Sequence, residues 1–590
     1  MWDFNKFLHE IDFLGDLLNK RIDSLKAELD FKPLIRQLDH NLALETALEY
    51  FGEGDYKVLG IDGSMVHKER LEIIILYIAI AGFTAPIFIR KNHVAVDLKN
   101  VSREDKYVLS AIIPLWLEDV TDVLKLHEIG LSRSLDAAIE GIPFSIMTFG
   151  EFYLGYKAVK EDESVRIILF DRPFASTIHP YQRDLRKLIF DGDGGVFTKV
   201  EIDGIRLSKA DLLLGLYLGP NVYKLPFRKP YKLYSIIQEI ILNGGESRYS
   251  ELEKKFKVSR DKIIKHLKRL DEEYLNNTLV DEYTYDGIVL NKDVLNYWDK
   301  IKHLVEVVGL NIFKMPITRH PLYLGNDIWI GTKELNSITL FMIYDMIKEA
   351  LNRNKLLVGI GKDTYVTDIT RSILPYMRSR GVLNYDSISI KSDRPLLTIL
   401  SSLDNEVFKT PWRFIGYDGA FATLTKNENP PPILRASRKY VFHDGLLIRS
   451  YFQLRSFKSI GEVLVKSPVF FYDRFIDKRY DKDFRSIEVL SGYGNITINP
   501  YLETGFNKLD NLILFLLSLM DNPEVAEATG HNYLLFLADK DVKAAINLVK
   551  EGVIDMTDLK VNEVIKKRRL FIITRKFRDF RHLVERRRRR

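Results

Sequence analysis

From Ile73 to Ile89 the chain reads IIILYIAIAGFTAPIFI without a single charge, close to the length of a membrane span. Gly82 and Pro86 interrupt it, β-branched residues dominate, and charged blocks flank it tightly. These signals predict two buried strands joined by a turn at AGFTAP, not a membrane helix. Burying them takes a large core. With 590 residues, 46% of them hydrophobic, the chain is globular and long enough for about two to four packed units.

The neighbouring segments extend the pattern. YKVLGIDGS, LEIIILYIAI, APIFIRK and HVAVDL read as an antiparallel meander. From Tyr107 to about Lys160 the period turns helical, and VRIILFD, ending at Asp171, returns to a buried strand. The order predicts an α/β domain. Ahead of it, apolar positions at Phe7, Ile11, Leu14, Leu17, Leu18, Ile22 and Leu25 describe a helical arm over 1–50, suited to contact with a partner or a second copy.

Residues 231–300 follow a logic of their own. YKLYSIIQEIILNGG, YSELEKKFKVS and SRDKIIKHLKRLDEEYL predict three helices, and VDEYTYDGIVLNKD predicts a hairpin turning at Asp286-Gly287, the order of a winged helix. The third helix carries Arg260, Lys262, Lys265, His266, Lys268 and Arg269 around an apolar stripe, as a DNA-recognition helix would. A solvated helix in a protein-binding module has the same look. The expected organisation is an arm over 1–50, a core over 51–230 and 301–560, the inserted module over 231–300, and a basic tail over 561–590 ending in Arg586 to Arg590.

Charge on the whole chain says little, because 87 basic side chains nearly balance 81 acidic ones. Cysteine says more: none occurs, which removes disulfides, zinc ribbons, thiolate catalysis and iron–sulfur ligation. A bound metal should then be hard, held by carboxylates or histidine. The same composition, rich in Lys, Glu and Ile, fits a thermophilic source. The amphipathic start MWDFNKFLHE lacks signal-peptide order, so a cytoplasmic protein is expected. No GxxxxGK[ST] loop is present, so any ATP-driven step would need a partner.

Four places offer chemistry. In GIDGS, Asp62 is expected to close a buried strand, with Gly63-Ser64 turning the chain; an ordinary Asp-Gly hairpin turn reads the same way. In VRIILFDRP, Asp171 ends a second apolar strand, and two such strand ends can set carboxylates side by side, where they repel unless a cation lies between them. Glu151 begins the helical segment before that strand, where a glutamate also simply stabilises a helix start. Finally, in GHNYLLFLADKD, His531 precedes a helix bearing Asp539, and the apolar residues between them should fix Asp539 more firmly than the Gly-flanked His531.

Taken in order, these residues form the pattern of RNase H-like nucleases, which gather carboxylates for two-metal phosphodiester cleavage. The motifs resemble those of the NurA nucleases: GIDGS their opening Asp-Gly-Ser, the Glu151 helix with LFDRP their second and third motifs, and GHNYLLFLADK their C-terminal motif. The strand ending in Lys362 resembles a family segment that carries a lysine. The resemblance implies an RNase H-like mixed sheet with flanking helices, and a Mn2+-dependent (or Mg2+-dependent) deoxyribonuclease that resects DNA ends. It also implies dimers, and work with the hexameric HerA ATPase. Asp62, Glu151, Asp171 and Asp539 would hold metal, Lys362 would stabilise the phosphate, and His531 would take the place of a family tyrosine. Two departures stand out, Asp171-Arg172 where the family has Asp-Gly and Gly530-His531-Asn532 where it has Gly-Tyr-Pro, and Asp539 stands where the family often has His. They leave open a DNA-binding scaffold with a degenerate core, and an RNase H-like activity on RNA or in strand transfer is a third reading.

Overall fold

The computed structural model describes residues 30–549, except 71–72, 117–130, 221–231, 315–319, 325–327, 363–365, 384–389, 420–433, 436–444, 459–463 and 492–493, with isolated positions beyond both ends. Most of residues 1–29 and of the basic tail over 561–590 lie outside these residues.

The first part runs β1 (Ile35–Gln37), α1 (His40–Phe51), β2 (Gly54–Arg70), β3 (Ile73–Arg90), β4 (His93–Val96), β5 (Ser102–Trp116), α2 (Leu131–Glu161), β6 (Val165–Phe170) and α3 (Phe174–Phe190). The segment 231–300 follows as α4 (Lys232–Leu242), β7 (Glu246–Arg248), α5 (Tyr249–Phe256), α6 (Arg260–Tyr274), β8 (Val280–Tyr283) and β9 (Gly287–Leu290). The chain continues through α7 (Tyr297–Phe313), α8 (Thr332–Asn352), β10 (Leu356–Gly361), β11 (Trp412–Phe414), β12 (Tyr417–Asp418), β13 (Leu447–Gln453), β14 (Phe470–Phe475), α9 (Lys508–Leu519) and α10 (Tyr533–Leu548).

One mixed sheet organises the molecule, in the order β1-β11-β13-β14-β10-β6-β2-β3-β4, with β12 beside β13 and β5 beside β3. Its centre is parallel: β6 lies between β2 and β10 and runs with both, while the other pairings are antiparallel. Alternation along the strands sends side chains to opposite layers. Leu59, Ile61 and Phe170 meet Phe149 and Phe152 of α2 on one face. Val58, Ile167, Leu169 and Val358 meet Leu512 and Leu516 of α9 and Leu534 and Leu535 of α10 on the other. The predicted α/β architecture, a mixed sheet flanked by helices, is present.

Three local expectations are corrected. The uncharged run is a single strand, paired with β2 from Gly54↔Ile89 to Arg70↔Ile73, not two strands and a turn. Its interruptions sit where its outer partner changes: the register to β5 shifts between Ala81 and Phe83, β5 pairing ends at Thr84, and β4 pairing starts at Ile87. No helix of the described residues is long and apolar enough to cross a membrane. Secondly, Gly63-Ser64 does not turn the chain, because β2 runs on to Arg70. Thirdly, Tyr107 to Trp116 is strand, with Tyr107, Leu109, Ala111, Ile113 and Leu115 buried at alternate positions; the helix begins at Leu131.

The segment 231–300 folds as three helices and a small sheet in the order β8-β9-β7. Tyr234, Ile237, Ile263, Leu267, Leu270 and Ile288 are buried there. Asp271, at the end of α6, accepts the backbone N–H groups of Leu279 (2.9 Å) and Val280 (3.0 Å) and so ties the hairpin to the helix. The strand Glu246–Arg248 was not expected from the sequence.

Candidate active site

The site forms where β6 stops. Its last pairing with β2 joins Ile61 to Phe170, and Asp171 N–H donates to the Ile61 carbonyl (3.1 Å), so Asp62 and Asp171 each follow the last residue of that parallel pairing. Asp62 lies within its strand, but at the point where the strand loses that partner. It shares the face of Val58 and Gly60, against which α10 packs: a Cβ on Gly60 would stand 2.7 Å from Leu534 Cβ. Gly63 faces the other way. A Cβ there would come within 2.8 Å of Glu151 Oε1 and 3.0 Å of Met147 Cγ, so the two glycines of GIDGS let helices close on the strand from both sides.

Glu151 is in the middle of α2, not at a helix start, and is buried. A basic side chain satisfies it in place of a helix dipole: Arg172 donates through Nε to Oε2 (2.7 Å) and through Nη2 to Oε1 (3.1 Å). The guanidinium also stacks on Phe144, 4.7 Å from the ring centre. Burial works against its charge, yet Glu151 holds its pKa above the ordinary arginine value.

Lys362, just past β10, forms an ion pair with Asp171. Its carbonyl accepts from Arg394 Nη1 (2.9 Å), and Asp473 caps Ala175 N–H (2.9 Å) at the start of α3, so both sides of this pair are anchored. Asp62 accepts its own neighbour's amide, Gly63 N–H (2.8 Å), and among the described residues no basic side chain pairs with it. Burial, then the charges of Asp171 and Glu151, push its carboxyl up to about 9, against the pull of Lys362.

Helix α10 closes the site. Asp539 accepts from Lys543 Nζ one turn on (2.7 Å), and the Lys543 ammonium, raised by that hydrogen bond, also feels Asp62 and Asp171. His531 is not loose as its Gly-flanked turn suggests. It is 8% exposed, and its N–H donates to Ala528 carbonyl (2.9 Å). Gly530 N–H donates to Asp521 (2.9 Å), and Asn532 caps α10 by accepting from Leu534 (3.1 Å) and Leu535 (3.2 Å). Burial, then Lys362, lowers the imidazole to about 4, so it is neutral near pH 7.

The structure thus brings together Asp62, Glu151, Asp171, Lys362, His531 and Asp539, and adds Arg172 and Lys543. Lys543 was missed although its spacing of four from Asp539 was visible. Arg172 stood out only as a departure; that it binds Glu151 depends on how α2 packs. The basic residues of the inserted module lie elsewhere: Lys262, Lys265, Lys268 and Arg269 are exposed on α6, and Arg260 stacks between Tyr249 (4.6 Å) and Tyr285 (5.6 Å).

Among the described residues, no group of three His, Asp or Glu side chains is arranged to hold a metal ion. Arg172, Lys362 and Lys543 engage three of the carboxylates instead. The donor chemistry still fits a hard divalent cation: Asp62 is a buried carboxyl crowded by two others, and His531 Nε2 is a buried ring nitrogen without a partner among the described residues.

The chain is similar in structure to NurA nucleases. It is 12% identical to the NurA nuclease from Sulfolobus solfataricus over 95% of this chain and 98% of that one, with a TM-score of 0.36. NurA with manganese (13% identity, 93% and 98% covered, TM-score 0.34) and NurA bound to dAMP and manganese (14%, 90% and 93%, 0.32) are also similar. No family model and no curated protein matches the sequence. The resemblance carried by the motifs therefore recurs among solved structures, at a TM-score too low to bear on chemistry.

Proposed function

We propose that this chain is a metal-dependent deoxyribonuclease, and that Asp62, Glu151, Asp171 and Asp539 form its Mn2+- or Mg2+-binding site. One observation carries the reading: three carboxylates distant in sequence converge at one end of the parallel strands, so that Asp62 feels both Asp171 and Glu151. We read the meander β2-β3-β4 followed by β6 and β10 parallel to β2 as an RNase H-like core, split by a winged-helix insert. The manganese and dAMP named for two similar structures accord with this assignment.

When bound, a divalent cation would polarise the phosphodiester and its attacking water. The side chains have the remaining tasks. Asp62 and Asp171 would hold the cation from rigid backbone, Asp62 within β2 where β6 leaves it and Asp171 just past the end of β6. Lys362 and Lys543 offset phosphate charge, which grows as the bond to the leaving oxygen breaks. Arg172 fixes Glu151. The insert adds affinity: α6 presents Lys262, Lys265, Lys268 and Arg269, while the hairpin, with Asp281, Glu282 and Asp286, is acidic, so phosphate contacts fall to the helix. By family resemblance the substrate is a DNA end, the ring partner a HerA-type ATPase and the assembly a dimer.

Labelled linear DNA, incubated with and without Mn2+, tests the activity. Wild type should cleave only with metal, and Asp62→Asn and Asp171→Asn should not cleave although they fold. A second reading, a DNA-binding scaffold with a degenerate core, is favoured by the Arg172 clamp on Glu151. Mn2+ titration separates the two, because a degenerate site gives no Mn2+-dependent thermal stabilisation. An RNA substrate in competition would reveal ribonuclease activity.

A further inference from the structure

The turn that leads into α10 delivers an imidazole whose tautomer is set by its surroundings. His531 Nδ1 lies 3.0 Å from the Asn532 carbonyl oxygen. A carbonyl oxygen only accepts, so Nδ1 carries the proton and Nε2 presents a lone pair. That Nε2 is buried and, among the described residues, has no hydrogen-bond partner. The ring cannot easily swing away to find one: it packs edge-on against Phe470, 5.4 Å between centroids at 80°, and the backbone on both sides is hydrogen-bonded. The charged groups acting on it are Lys362, Asp171 and Asp539. Lys362 is paired with Asp171 and Asp539 with Lys543.

A neutral imidazole with one N–H on a backbone carbonyl and the other nitrogen bare is the form histidine takes as a metal ligand. We propose that His531, through Nε2, is the nitrogen ligand of the divalent cation that Asp62 and Asp171 hold, where the family resemblance gave it only the place of a tyrosine. This rests on the metal-dependent reading above. An imidazole donor favours Mn2+ over Mg2+, which oxygen ligands alone discriminate less, so His531 would also set the metal preference.

The test uses the full chain, freed of metal, with Mn2+ alone and no DNA. Pulsed electron paramagnetic resonance should show 14N coupling to bound Mn2+ in the wild type. His531→Ala should lose the coupling and bind Mn2+ about ten- to a hundredfold more weakly, with a smaller change for Mg2+. If the alanine variant does not fold by circular dichroism, His531→Gln, polar and without a ring nitrogen, is read in the same way. Mn2+ binding that depends on Asp62 but shows no nitrogen coupling in the wild type overturns the proposal and leaves the metal-dependent reading standing. Coupling that survives in either His531 variant does the same. A wild type without Asp62-dependent Mn2+ binding defeats both.

Discussion

At the scale of residues, Asp62 joins stability to activity. Its carboxyl is raised to about 9 in the fold, against an ordinary value near 4 when unfolded, so the folded state holds the proton more tightly. Without metal, that contribution to stability is fully present below about pH 4 and is lost as pH rises towards 9. Asp62→Asn should therefore melt above the wild type at pH 8 in chelator, with the gap closing near pH 4, and Mn2+ should reverse the order. A wild type at least as stable as the variant at pH 8 in chelator would contradict this. Arg172 offers a second case. Arg172→Ala leaves the buried Glu151 carboxylate without its partner and should cost about 3–5 kcal/mol in chelator. Divalent cation should restore part of the loss, and thermal unfolding with and without Mn2+ would show it.

Among the elements, α10 and β2 depend on Gly60. A Cβ there meets Leu534 Cβ at 2.7 Å and its backbone carbon at 3.1 Å, and a helix backbone cannot yield as a flexible side-chain end can. Gly60→Ala should destabilise by about 1–3 kcal/mol and lower cleavage at saturating Mn2+ by moving His531 and Asp539 together; denaturant unfolding and single-turnover rates check the two effects. The module over 231–300 should be separable from the chemistry. Replacing Lys262, Lys265, Lys268 and Arg269 by Ser should weaken DNA binding and flatten its salt dependence, with a slope smaller by roughly one for each lost phosphate contact, while cleavage of saturating substrate is spared. An unchanged salt slope would assign α6 to protein contacts.

Over the whole molecule, the half of the sheet away from the site is held by buried ion pairs. Arg474 bridges Asp481 (2.7 and 2.8 Å) and Asp510 (2.6 and 3.0 Å), and Arg413 binds Glu503 (2.6 and 2.7 Å), all fully buried. Arg449 joins Asp473, which caps α3 beside Asp171, to Asp368 (2.7 Å), so this lattice reaches the site through one helix terminus. Arg474→Leu strands two buried carboxylates and should cost about 3–5 kcal/mol or more. Calorimetry should register that as a lower melting temperature for the whole sheet. A variant that melts like the wild type would mean that the lattice is not structural support.

The sequence by itself determined the α/β class, the two carboxylates at Asp62 and Asp171, the lysine after β10 and the helices of the 231–300 segment. Each is a local property: a carboxylate after an apolar run stands out whether the strand stops there, as before Asp171, or runs on, as through Asp62, and helical or alternating spacing shows within a few residues. It did not determine the single strand through Gly82 and Pro86, since those residues are tolerated only because the partner strand changes beside them. Nor did it determine that Arg172 clamps Glu151, or that His531 is fixed while Asp539 pairs with Lys543. Those outcomes depend on which faces of α2 and α10 meet the end of β6, and burial there is a property of side chains far apart in the chain, decided only when the layers close.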